Sequence, residues 1–255
     1  MKVNNNNYFL IASLLCFTLT IAQTKDYTKY VNTFIGTQGT GHTFPGPCMP
    51  FGMVQPGPDN VDKGWDYTSG YQYDDSTILG FSQTRANGTG ISEFGDILLQ
   101  PLTISKKENF GEHYIKATEK AFPGYYTVTL NNNVKVELSC TERVAFHQYT
   151  YPTTQAMLLV DLQHGLRFIT DSLVLESDVH IENNATISGY CHTKNWVERK
   201  YFFCIQFNEP FVNKVQLQRK AKQAAPRYVF TFKLKNKILQ TKNCIIYSKY
   251  SWCKK

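Results

Sequence analysis

The stretch "YYTVTLNNNVKVELSCTERVAFHQYTYPTTQAMLLVDL", Tyr125–Leu162, decides the fold class. "YYTVTL" and "VKVELSC" alternate apolar and polar residues, which places one set of side chains on one face of an extended strand. The run Asn131-Asn132-Asn133 between them is turn chemistry, because asparagine tolerates left-handed backbone and bonds its own main chain. "AFHQYTY" and "AMLLVDL" follow, each after another polar break. Working outward, "ATISGY" (185–190), "KYFFCIQF" (200–207) and "RYVFTFKL" (227–234) repeat the β-branched and aromatic composition, with Glu182-Asn183-Asn184 as a further turn. Helical periodicity is not sustained in any segment. The expectation is an all-β fold, an antiparallel β-sandwich that buries one face of each strand.

Toward the N-terminus the composition changes. "FIGTQGTGHTFPGPCMPFGMVQPGPDN", "GWDYTSGYQY" and "GFSQTRANGTGISEFGDILLQP" are dense in glycine and proline. Long loops of this kind cost entropy and on a rigid sheet are more often kept for a ligand than for folding. "GTQGTGHT", Gly36–Thr43, imitates a phosphate loop, but His42 stands where the lysine belongs and "FPGP" follows where a helix must start, which argues against nucleotide binding. His42 reads equally as a pocket group or as a loop residue tying down its own backbone. Trp65 reads as core or as a stacking surface, beside Asp66, Ser69 and Tyr71, whose polar groups suit sugar hydroxyls. Phe44, on a loop fixed by Pro45 and Gly46, fits a sugar platform.

Asp59, Asp62, Asp66, Asp74, Asp75, Glu93 and Asp96 offer carboxylates, yet no two are marked by spacing as the facing pair that glycoside hydrolysis uses. They read mostly as turn and cap residues.

A hydrophobic content of 42% over 255 residues fills a substantial core. The net charge of +7 comes from scattered lysines and arginines with no basic run, which argues against a nucleic-acid partner. Residues 1–22, with Lys2 and an apolar stretch from Tyr8 to Ala22, read as a signal peptide too short for a transmembrane span. The expected location is secreted or periplasmic. Cys16 is preceded by Leu15, bulkier than a lipoprotein cleavage site normally accepts. With Cys16 in the signal and Cys244 and Cys253 in the odd C-terminal segment, Cys48, Cys140, Cys191 and Cys204 remain; they show neither CxxC spacing nor a zinc-type cluster, and export permits disulfides that the sequence does not pair.

In order along the chain, "YVNTFIGTQGTGHTFPGPCMPFGMVQPGPD", "WDYTSGYQYDDSTILGFSQTRANGTGISEFGDILLQP", "AFPGYYTVTL", "VELSCTERVAFHQYTYP" and "KYFFCIQFNEPF" resemble the start of glycoside hydrolase family 92, secreted calcium-dependent exo-α-mannosidases. The resemblance implies an N-terminal sandwich, followed in the family by an (α/α)₆ barrel, with an inverting active site where the two meet. It implies α-mannoside glycans as substrate, with the sandwich lending Gly88 and Phe44, and secondarily Trp65, His42 and Thr89, to the mannose pocket. The general acid, the water-activating carboxylates and the calcium ligands are implied to come from the barrel, so neither catalytic nor metal residues are expected here, and the chain alone is expected to be inactive. A stand-alone carbohydrate-binding module is the alternative.

Two departures bear on specificity. "FSQTRANGTG" carries Gln83, Arg85, Ala86 and Asn87 where α-1,2-cleaving members often read "FSHTHLSGTG", and Lys116 replaces a histidine common ahead of "PGYY". A third concerns the end of the sandwich, expected over 25–242. "NCIIYSKYSWCKK", Asn243–Lys255, loses strand alternation. One codon choice for it, read one base later, gives "IALSTVSIVGAK", which resembles the family's next strand, so 243–255 reads as an out-of-frame tail.

Overall fold

The structure, a computed structural model, describes residues 25–61, 63–103, 111–166, 174–217 and 225–247. The expected signal peptide, Asp62 and residues 248–255 of the tail lie outside them. Residues 25–31 belong to a separate N-terminal unit whose described part is one 3₁₀ turn, Thr28–Tyr30. From Asn32 on, the chain is a two-sheet β structure, and among the described residues there is no α-helix.

The smaller main sheet has six strands, in spatial order Gly57–Asp59, Gly80–Ser82, Leu98–Leu102, Gln155–Asp161, Arg227–Lys233 and Phe211–Gln216. The larger has eight: Val174–Asn183, Thr186–Lys194, Glu198–Phe207, Ile238–Ile246, Val144–Thr150, Lys135–Cys140, Tyr125–Thr129 and Lys120–Phe122. Every paired strand is antiparallel, which fits short strands joined by tight turns. Thr77–Ile78 and Glu112–His113 form a small separate ribbon.

The sheets meet face to face. Phe81, Leu99, Leu158, Val160, Phe230 and Phe232 of the smaller sheet share one core with Tyr126, Val136, Tyr149, Ile187, Phe203 and Leu239 of the larger. Phe207 bridges them, its ring 5.1 Å from Phe232 and 5.7 Å from Phe230. The alternation read from sequence sets which side chains enter: Ala145, His147 and Tyr149 point inward while Val144, Phe146 and Gln148 stay half-exposed. This is the expected antiparallel sandwich.

The boundary expected at 242 falls inside a strand. Ile238–Ile246 runs through it, paired with Glu198–Phe207 on one side and Val144–Thr150 on the other. Asn243 and Ile245 face inward and are buried, with Cys244 half-exposed between them, so alternation persists over the first three residues of the segment read as a tail.

Candidate functional site: a loop cluster around His42 and Trp65

The glycine-rich loops converge on one cluster. His42 adopts left-handed backbone, φ 55°, and its carbonyl accepts a hydrogen bond from the Gly88 N–H at 2.6 Å. Trp65, on the short turn Trp65–Tyr67, donates its indole N–H to the Gly90 carbonyl at 2.8 Å. The two rings meet edge to face, centroids 4.3 Å apart. Glycine is required at the joint: Gly90 has φ +65°, and a Cβ there would stand 3.1 Å from His42 Nδ1 and 3.3 Å from Trp65 Cζ2. Gly88 also has positive φ, but a Cβ there would meet nothing within 4 Å. Its backbone borders open space.

Four of the five sequence candidates are thus in one place. Trp65 is 51% exposed and His42 only 6%. His42 Nε2 is buried with no hydrogen-bond partner among the described residues. Thr89 is exposed, its hydroxyl bonded to the Ile91 main chain at 3.2 Å and 3.3 Å, which shapes the loop tip. Phe44 differs from expectation. It is buried, with the Arg85 guanidinium 4.5 Å from its ring centre, so Arg85 occupies the face a sugar would need. A Cβ at Gly46 or Gly57 would run into the Phe44 ring at 2.5 or 2.7 Å, so the loops close on it from both sides.

Sequence reading missed two buried arginines that hold this cluster. Arg85 pairs with Asp59 at 2.7 Å, both side chains fully buried, and donates to the carbonyls of Gly57 and Ser69. His164 Nε2 lies 2.7 Å from the other Asp59 oxygen. Burial alone would raise the Asp59 carboxyl; Arg85 and His164 outweigh that and hold it below the usual carboxylate range. Arg199, from the larger sheet, clamps the loop that follows Gly90: it bonds Glu93, and its other nitrogen reaches Asp96 at 2.8 Å. Its guanidinium also lies 4.4 Å from the Phe94 ring centre. The only sequence signal was an isolated charge at the edge of an apolar or small-residue run, which does not identify a partner in another loop or, for Arg199, roughly a hundred residues away.

These pairings settle what the carboxylates do. Every buried carboxylate among the described residues faces a cation: Asp59 with Arg85, Asp75 with Lys63, Glu93 and Asp96 with Arg199, Asp161 with Arg227, Glu209 with Lys235. Calcium needs several oxygens around one point, and among the described residues no three His, Cys, Asp or Glu side chains converge that way. The described residues do not gather into a calcium site. Lys116, which stands where a histidine is common ahead of "PGYY", sits 3.6 Å over the Tyr73 ring and 2.7 Å from Glu119. The cluster offers an apolar indole face, an approachable backbone at Gly88 and one buried imidazole.

Residues 30–245 match the family model described as the glycosyl hydrolase family 92 N-terminal domain. An uncharacterized secreted glycosidase of the fungus Arthroderma benhamiae is 34% identical over an alignment covering 54% of this chain and 20% of that protein. A family GH92 α-mannosidase from Bacteroides thetaiotaomicron, solved with mannoimidazole, superposes with TM-score 0.79 at 29% identity, over 88% of this chain and 33% of that one. An inverting mannosidase of the same family and organism shares the fold, with TM-score 0.73 at 22% identity over 89% and 32% of the respective chains. The chain spans about a fifth of the curated relative and about a third of the solved mannosidases.

Proposed function

Because the chain belongs to glycosyl hydrolase family 92 by its N-terminal domain, we propose that it is the sandwich portion of a secreted, exo-acting, inverting α-mannosidase. In this reading it lends Trp65, His42, Gly88 and Thr89 to the mannose pocket, with Phe44 and Arg85 packed beneath as support. The acid, the carboxylates that serve water and the calcium ligands come from a following (α/α)₆ barrel, and the sandwich alone turns nothing over. The observation that carries the reading is the Gly90-locked pair of His42 and Trp65, which leaves half the indole and the Gly88 backbone open while every buried carboxylate among the described residues faces a cation.

The test is hydrolysis of α-mannosides by the purified chain, with and without calcium. No turnover above buffer is expected, and sustained turnover would sink the reading. The exposed indole also favours a second reading, a stand-alone carbohydrate-binding module. Titration with mannose separates the two. The half-pocket reading expects affinity no tighter than millimolar, weakened about tenfold or more in Trp65→Ala, a loss of about 1.4 kcal/mol; micromolar binding by the chain alone would favour the module.

A further inference from the structure

The loop that follows Phe44 is stitched to the end of the strand Lys135–Cys140. Met53 and Val54 donate their N–H groups to the Glu142 carbonyl at 2.7 and 3.3 Å, and Gly52 turns back onto the Met49 carbonyl at 2.9 Å. A Cβ on Gly52 would stand 3.5 Å from Glu142 Cα. This brings two thiols together. The Cys140 thiol lies close enough to the Met49 N–H and to Cys48 to be perturbed by both, and Gly52, stitched beside Glu142, bonds back to the Met49 carbonyl, one residue from Cys48. Cys48 is exposed and Cys140 half-buried, so an oxidant reaches the pair, whereas Cys191 is sealed in the core.

We propose that Cys48 and Cys140 form a disulfide that ties the glycine- and proline-rich loop bearing His42 and Phe44 to the larger sheet. The co-reactant is a small-molecule disulfide such as oxidised glutathione. The Cys48 thiolate attacks one of its sulfurs and expels a glutathione thiolate, leaving a mixed disulfide. The Cys140 thiolate then attacks the Cys48 sulfur, closes the protein S–S bond and expels the second glutathione. Two protein thiols give up two electrons and two protons, and the oxidant leaves as two thiols. Burial pushes the Cys140 thiol up to about 11, and the Cys48 thiol beside it adds to the rise. Burial raises the Cys48 thiol as well, so both attacks need deprotonation and run faster at alkaline pH.

This inference is independent of the mannose reading. The full chain is purified under reductant, exchanged into oxidised glutathione, alkylated and mapped without reduction. The expected result is a linked Cys48–Cys140 peptide, about 2 Da lighter than its two parts, and a melting point several degrees above that of the reduced chain. In Cys48→Ser that rise disappears, while the reduced variant melts with the reduced parent. Alkylation of both cysteines, separate glutathione adducts on each, or a Cys204–Cys244 bridge formed in their place would overturn the proposal. The map of the unsubstituted chain decides the matter even where the variant does not fold.

Discussion

His147 is fully buried between the sheets and held at both ring nitrogens, 2.7 Å from the Tyr149 hydroxyl and 3.1 Å from Gln83 Oε1. The Gln83 amide nitrogen donates to the Phe81 and Ile97 carbonyls, so its oxygen faces the ring as an acceptor. That assigns the proton to Nε2 and makes Tyr149 the donor to Nδ1. Burial pushes the imidazole down to about 3. In the unfolded chain it titrates near 6.5, so between those values the unfolded state binds the extra proton and stability falls as pH falls. The slope is about 1.4 kcal/mol per pH unit at most. Urea midpoints are expected to drop on acidification from pH 6.5 toward 4, and His147→Gln is expected to flatten the curve; an unchanged slope would remove His147 from the account. Asp59, whose carboxyl is held low, adds its own loss only below its ordinary value near 4. The inward direction of His147 was legible in the alternation of "VAFHQYT". Its partner Gln83, far away in a loop read for ligand contacts, was not. The same gap explains Phe44: an aromatic on a fixed loop is readable, but the arginine lying across it is not.

Among the elements, the seven strand runs read from sequence all form strands, because each puts alternate apolar residues into one core. Three of the strands not read are of a different kind. Val174–Asn183 and Phe211–Gln216 lie at sheet edges and expose most of their side chains, so they carry little hydrophobic pattern. Ile238–Ile246 was obscured by its own interior: Thr241 and Asn243 face inward, fully buried, where apolar residues are usual. Asn243 donates to the Thr241 hydroxyl at 3.0 Å, but its Oδ1 is buried with no partner among the described residues. A buried unsatisfied carbonyl costs about 1–3 kcal/mol. Asn243→Val, close in volume and β-branched, is expected to raise the unfolding free energy by about 1 kcal/mol in urea titration. A loss of that size would mean that the Thr241 contact matters more than the orphaned oxygen.

At the scale of the molecule, large apolar side chains stand in solvent well away from the buried core. Phe51 is fully exposed at φ 56°, and Ile35 and Trp196 are each 74% exposed. Phe51 also borders a cavity of about 560 Å³ with Met53, Glu142, Arg143, Ile246 and Tyr247. Exposed apolar surface of this kind drives association. Sedimentation is expected to show apparent mass rising with concentration, and Phe51→Ser to reduce the rise; a concentration-independent monomer would contradict it. Fold class was legible at this scale, since it depends only on repeated alternation. The loop cluster was legible in part, as glycine density and an available tryptophan, while the arginines that hold it came only with the fold.

The position of Ile238–Ile246 carries one more consequence. Within the larger sheet, Lys120–Thr150 is one run of sequential hairpins and Val174–Phe207 another, and this strand alone lies between them. Neither half can bond directly to the other. During synthesis both hairpin runs emerge before the strand that joins them, so the sheet closes only through pairings distant in sequence, the slow kind. Until then two unpaired edges, Val144–Thr150 and Glu198–Phe207, face water, and the interval before closure is when a nascent chain is most open to capture by another copy of itself.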